Sequence, residues 1–382
     1  MQILTVDIGT GTQDIFLYDS RLDIENGLKM IMPSPTMMVY RRLRQATLRG
    51  ETVCLCGLTM GGGPSQWAAE AHLKAGFPLF ATAEAARSFN DDLDVVEEMG
   101  VQLVSEDEVN RLPASVVRLE MRDFDFDLIE RAMAQFGVSL TRLDALAIAV
   151  FDHGNSPPGY SDRQFRFDYL NARIREKNQL SAFAYLAKDV PPIMTRLQAV
   201  VRSAKSTGLP LVVMDTAPAA VLGATYDALV AVRPRVLIVN VGNFHTLAFR
   251  LGPQGIEGVF EHHTGLLDLP KLENYLRALA DSTLTHEQVF GDHGHGALIY
   301  HPDALVFPEE GFGVAVTGPR RNLMKGSQLR PYFVVPFGDM MLTGCFGLLA
   351  AVADLIPEFG ETIRRSLEGR ETNPVAPWDI DA

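Results

Sequence analysis

Residues 3–8 are apolar and β-prone, residues 14–19 alternate apolar with polar positions, and a Gly/Thr-rich stretch separates them. That pattern predicts an opening β-hairpin with Asp7-Ile8-Gly9-Thr10-Gly11-Thr12 at its tip. A second strand–turn–strand unit is predicted where 235–239 and 246–251 flank Gly242-Asn243. Further strands are expected at 53–58, 77–81, 143–151, 209–214, 313–316 and 333–335. Helical patterns cover about 66–75, 83–88, 93–99, 126–136, 177–187, 191–207, 217–232, 269–280 and 340–356. The 217–232 helix carries an Ala-rich face suited to close packing. The uncharged run 340–353 is too short to span a bilayer and predicts a buried helix. Residues 156–173 are polar and aromatic and read as a long surface loop, and the tail after Gly369 as loosely attached.

A chain of 382 residues is long enough for two lobes with separate cores. Its net charge of −13 argues against non-specific nucleic-acid binding, because Arg41-Arg42-Leu43-Arg44 and Arg320-Arg321 are its largest basic groups. The N-terminus lacks the basic and apolar regions of a signal peptide. Cys54, Cys56 and Cys345 form no disulfide framework, which points to a reducing cytoplasm. No membrane partner is expected.

Candidate chemistry starts at the first hairpin. Gly9 and Gly11 let backbone approach a phosphate, Thr10 and Thr12 add hydroxyl donors, and Asp7 could hold Mg²⁺ through water. A plain turn is the alternative. The half-match to a Rossmann fingerprint fails, because Asp14 fills the last glycine position and a strand follows. Gly242, Asn243 and Thr246 repeat the geometry, so two related half-folds would face one cleft. Gly61-Gly62-Gly63 before a helix is either an anion or substrate site or a flexible turn. Asp152-His153 ends an apolar strand, where Asp152 could serve as a general base and His153 could meet substrate. Asp215 ends the next strand as a second carboxylate candidate, with helix capping as the competing role for both acids. Seven of nine histidines fall between His245 and His301, so His262 and His263 are transition-metal candidates, against surface or hydrogen-bonded loop roles. Asp123, Asp125 and Asp127 read as solvated capping residues.

The order of these segments resembles the actin/sugar-kinase/heat-shock-chaperone (ASKHA) superfamily. Asp7–Thr12 is similar to its first phosphate motif, Pro218–Ala224 to its first connecting helix, and Asn240–Thr246 to its second phosphate motif. Thr317-Gly318-Pro319 resembles its adenosine loop, and Met340–Ala353 its second connecting helix. The resemblance implies an α/β, two-lobed actin-like ATPase (ribonuclease H-like) fold with the ligand cleft between lobes. Lobe I would span 1–233, with an α/β insertion at about 50–120. Lobe II would span 234–338, and 339–382 would return to lobe I as a helix and tail. It also implies ATP and Mg²⁺, with Asp7 organising the cation, Asp152 or Asp215 activating the acceptor, and Thr317 and Gly318 at the nucleoside. Two residues depart from the pattern: Asn240 stands where an Asp is usual, and Pro319 where a second glycine is usual.

Thr59–Pro64, Asp152-His153-Gly154 and Glu261–Gly265 resemble a narrower family labelled as pyruvate formate-lyase-activating protein. The radical chemistry behind that label needs a Cys-x-x-x-Cys-x-x-Cys cluster, and this chain has none. Three functions are therefore in contention. The first is a phosphotransferase or ATPase acting on a small molecule. The second is a non-kinase ATP-dependent activator or reactivase of a partner enzyme. The third is a metal-dependent enzyme using the histidine-rich segment.

Overall fold

The computed structural model describes residues 1–370 and 374–380. Strands β1 (Gln2–Ile8), β2 (Thr12–Asp19) and β3 (Leu28–Pro33) form an antiparallel meander. The chain then leaves this sheet through a helix at Pro35–Arg49, capped by Ser34 and stopped by left-handed Gly50. Strands β4 (Val53–Gly57), β5 (Leu79–Ala81), β6 (Gln102–Leu103) and β7 (Val117–Met121) build a small parallel sheet in the order β6-β5-β4-β7. The chain returns as β8 (Ala145–Val150), β9 (Ala184–Leu186) and β10 (Leu211–Asp215). The first sheet then reads β3-β2-β1-β8-β10-β9, with β8 parallel to both β1 and β10.

The second half repeats this plan. Strands β11 (Val236–Val241), β12 (His245–Gly252) and β13 (Gly255–His263) form a meander, extended on one side by β14 (Gly296–Ile299). On the other side lie β15 (Val314–Thr317) and β16 (Pro331–Phe333), both running parallel. The order is β14-β13-β12-β11-β15-β16. Each sheet thus carries an antiparallel hairpin first and parallel strands after it, which is the duplicated plan of the two-lobed actin-like ATPase fold.

Two helices join the halves. Thr216–Ala224 starts at Asp215, whose side chain accepts the Ala217 N–H, and Thr343–Leu355 is buried from Thr343 through Ala353. They cross backbone to backbone. A Cβ on Gly223 would strike the Thr343 carbonyl, and one on Gly347 the Ala219 carbonyl. Side chains from both large sheets, including Ala149, Met214, Ile238 and Phe249, pack into one core with these helices.

Three expectations need correction. Residues 156–173 are not a loop, since Asp162–Glu176 is helical and Ser161 caps it. Phe167, Leu170 and Ile174 give it an apolar stripe at helical spacing, obscured by the surrounding charge. Residues 177–187 are not an α-helix; a 3₁₀ turn at Leu180–Phe183 leads into edge strand β9. The 217–232 helix is interrupted after Ala224, and Asp227 caps a separate turn at Ala228–Ala231. Of the tail, residues 371–373 and 381–382 lie outside the described residues, and Val375 donates its N–H to the Arg21 carbonyl at 2.9 Å. No helix among the described residues is long and apolar enough to cross a membrane.

Replacing a mid-helix glycine by alanine ordinarily adds about 1 kcal/mol of helix stability. At the crossing the sign should reverse. Gly347→Ala is expected to lose about 1–3 kcal/mol through overpacking, read as a lower urea midpoint at unchanged slope. A variant as stable as wild type would contradict the close crossing.

Candidate functional site

The two hairpin turns are built alike. Gly9 N–H donates to the Thr12 carbonyl at 2.9 Å, and Gly242 N–H to the His245 carbonyl at 3.0 Å. Each loop spans four residues between paired strand ends. Their tips meet, since a Cβ on Gly11 would come within 2.8 Å of the Asn243 side-chain nitrogen. Ser34 supports the first tip by donating its hydroxyl to the Thr10 carbonyl at 2.5 Å. Between the loops lies a cavity of ≈ 300 Å³, lined by Asp7, Gly9–Thr12, Asp14, Gly61–Gly63, Asn240, Gly242–His245, Thr317–Pro319 and Gly344, among others. Gly318 has φ +97°, and a Cβ there would strike Asn240 and the Val241 carbonyl, so only glycine fits this turn. Thr246 is not in the cavity: it is fully buried and its hydroxyl pairs with that of Thr264 at 2.9 Å. His245 holds the loop position that matches Thr12.

Asp7 and Asp14 face each other across the β1–β2 ladder. Asp7 accepts a hydrogen bond from the Thr216 hydroxyl at 2.5 Å, and Gly344 packs so tightly against its carboxylate that no side chain could be added there. Burial pushes Asp7 up to about 7 against the pull of that hydroxyl, with Asp215 adding to the rise. Burial and then the neighbouring Asp7 push Asp14 up to about 8. Asp14 Oδ1 is buried with no hydrogen-bond partner. Two desolvated carboxyls with an orphaned oxygen suit a hard divalent cation.

The other predicted acids carry structure. Asp152 accepts the N–H groups of Gly154 and Leu197, both at 2.8 Å. Asp215 caps its helix and forms an ion pair with Arg166. Arg166 is fully buried on the Asp162–Glu176 helix and also reaches Glu261 at 3.2 Å and the Asp152 carbonyl at 3.1 Å. Burial opposes its charge, but Asp215 and Glu261 outweigh that and hold it cationic. Neither Asp152 nor Asp215 lines the cavity between the hairpins.

Gly61, Gly62 and Gly63 all line the cavity, with the Gly61 N–H directed to Asp123 at 3.3 Å. Asp123 is no solvated cap: it is buried and held by Arg196 at 2.7 and 2.9 Å. His153 is exposed and lines both this cavity and an adjoining one of ≈ 1060 Å³. His262 and His263 do not act together. Being adjacent on β13, they point to opposite faces. His262 is buried against Asp292, while His263 lies beside His245 and His295. Burial lowers the basicity of His245 strongly, lowers that of His263, and takes His295 down to about 2. Cys54 and Cys56 lie on β4 and Cys345 in the central helix, so no three-cysteine cluster exists among the described residues.

Sequence reasoning missed Asp14, Arg166, Glu261, His245 and His295. Asp14 left a signal, a charge next to the apolar run Ile15-Phe16-Leu17. Arg166 left none, because its partners come from distant segments.

Residues 60–323 match the family described as "Putative pyruvate format-lyase activating enzyme (DUF1786)". The match covers well over half of the chain, and the chain belongs to this family. No functionally curated protein matches. Among solved structures the chain is similar to the ethanolamine utilization protein EutJ from Carboxydothermus hydrogenoformans, at 13% identity over 91% of this chain and 89% of that one, with a TM-score of 0.30. It is also similar to the ROK hexokinase from Thermus thermophilus, at 13% identity over 97% and 91%, with a TM-score of 0.24. A third is a propionate kinase from Francisella tularensis subsp. tularensis SCHU S4, at 10% identity over 70% and 59%, with a TM-score of 0.26. Scores this low carry no argument about activity; the fold rests on the strand order above.

The carboxyl pair generates a pH test. The folded chain keeps protons on Asp7 and Asp14 that the unfolded chain releases near pH 4. Their contribution to stability is complete below that pH and is lost as pH rises through about 8. His245, His263 and His295 act in the opposite direction below their ordinary value of 6.5, so the total curve is a mixture. Asp14→Asn separates the two contributions. Its stability relative to wild type should grow between pH 4 and 8 by on the order of a few kcal/mol, measured by urea unfolding without divalent cation. A constant difference across that range would show that Asp14 titrates normally.

Proposed function

We propose that this protein binds Mg²⁺ and a nucleotide, with ATP as the expected form, in the cleft between its two glycine hairpins and transfers or hydrolyses a phosphoryl group. The observation that carries this reading is the Asp7–Asp14 pair, with its orphaned oxygen, set beside two matching turns. Asp7 and Asp14 would hold the cation, which when bound neutralises phosphate charge. The N–H groups of Thr10 and Gly11 and of Asn243 and Phe244, with the Thr10 and Thr12 hydroxyls, would orient phosphate oxygens. Thr317 and Gly318, which line the cleft, would meet the nucleoside.

The adjoining cavity shares Gly61, Gly62, Phe151, His153 and Arg196 with the cleft. It is the place for a small acceptor. With Asp152 and Asp215 engaged in structural contacts, His153 is the titratable side chain at the junction that we assign to the acceptor. Asn240 supplies no charge beside Gly318, and that favours slow turnover. A second reading follows from it, a nucleotide-dependent switch that activates a partner enzyme.

Calorimetric titration of metal-stripped protein with ATP, with and without Mg²⁺, tests the proposal. Mg²⁺-dependent binding should weaken at least tenfold in Asp7→Ala and in Gly318→Val, while His153→Ala should leave it intact. Acceptor-stimulated ADP release lost in His153→Ala would support the transferase. Binding without any such stimulation would support the switch. Absence of Mg²⁺-dependent binding in wild type would overturn both.

A further inference from the structure

His245 and His263 are directly paired neighbours on β12 and β13. His295 follows a left-handed turn at His293 and arrives beside them, its N–H donating to the Glu261 carbonyl at 2.9 Å. The three rings converge, with centroid separations of 5.1, 5.0 and 4.7 Å. One ring nitrogen from each lies within 4.8 Å of the others.

We propose that His245, His263 and His295 form a three-imidazole site for a divalent first-row transition metal ion, built from a set of side chains separate from the Asp7–Asp14 pair.

Comparison with the other enclosed histidines supports this. The rings of His72 and His262 are bonded at both nitrogens, and His286 is bonded to Gln164 at 2.9 Å. Those rings have structural roles. No ring nitrogen of the converging three has a hydrogen-bond partner among the described residues, and His295 Nδ1 is fully buried in that condition. A buried imidazole with no partner forfeits its hydration without return. A metal ion held by His295 and the half-buried His245 and His263 would restore that loss.

The surroundings suit an ion. His295 Nδ1 faces Glu261 Oε1 at 3.7 Å, and that oxygen is also buried and partnerless. A ligating histidine commonly turns its second nitrogen to a carboxylate, which leaves Nε2 for the metal. Arg166 fixes the other carboxylate oxygen of Glu261. Phe151 stacks on His245 at 4.3 Å, nearly parallel, and restrains that ring. Tetrahedral bonds of about 2.0–2.1 Å would place the ligand nitrogens about 3.4 Å apart, so modest ring rotations complete the site. Imidazoles select Zn²⁺, Fe²⁺, Co²⁺ or Ni²⁺ over Mg²⁺, which prefers oxygen. Three protein ligands leave a position open, as in catalytic rather than structural metal centres. His245 itself lines the cleft, so that position would be within reach of a ligand bound there.

Chelator-treated full-length protein titrated with Zn²⁺ by calorimetry, and with Co²⁺ by visible absorption, tests the assignment. With Mg²⁺ in excess to occupy the carboxyl pair, we expect one Zn²⁺ or Co²⁺ ion per chain and a Co²⁺ spectrum of low coordination number. His263→Ala and His295→Gln should each weaken binding about 100-fold or more, with circular dichroism confirming the fold. If His263→Ala does not fold, His263→Gln replaces it. His293→Ala, exposed in the same segment, should bind as wild type, and so should Asp7→Ala. That last result separates this site from the nucleotide reading, since either can fail alone. Less than one equivalent bound by wild type, or unchanged affinity in the folded triad variants, would overturn the proposal.

Discussion

A single buried guanidinium sets the relation between the two halves of this molecule. Arg166 lies on a helix of the first half, pairs with Asp215 at the end of β10, and reaches Glu261 on β13 of the second. Removing all three charges from water is expensive, and the attraction repays it only if the geometry is kept. Any sliding of one sheet past the other would strand a carboxylate in a dry environment. The hairpin turns are carried on the same sheets, so their separation is held by the same contact. Beside it, the glycine crossing of the two central helices brings Thr216 to Asp7 and Gly344 against the same carboxylate.

Much of the frame was legible from local pattern. Both glycine hairpins, the apolar strands and the buried C-terminal helix show in periodicity and turn residues because each depends on near neighbours in sequence. The Asp162–Glu176 helix did not show. Its apolar stripe is three residues wide, and its key inward residue is an arginine, which pattern reading sends to the surface. Edge strand β9 was hidden because a short apolar run suits helix and strand alike.

The site was legible in part. Glycines and the first aspartate announced the tight turn of the first hairpin, whereas Asp14 faces Asp7 because β1 and β2 pair in one register. Thr246 was misplaced by one position, and in a strand one position reverses the face. The same parity separates His262 from His263. His263 finds its neighbours across the sheet and from a loop thirty-two residues on, at His295, information that spacing alone does not contain. Asp152 and Asp215 show the reverse case, since acids at strand ends are as useful for holding backbone amides as for chemistry.

The raised carboxyl pair has a consequence for how the cleft responds to its medium. Near neutrality it already holds an occupant, a hydrogen ion retained by Asp7 and Asp14. If the cleft takes a divalent cation as proposed, the ion would have to displace that proton, so loading would exchange one positive species for another. Occupancy would then follow a ratio of two ion activities, not the concentration of either. A modest acidification of the surroundings would act as a competitive inhibitor, and the buffer in any binding measurement would become a reactant.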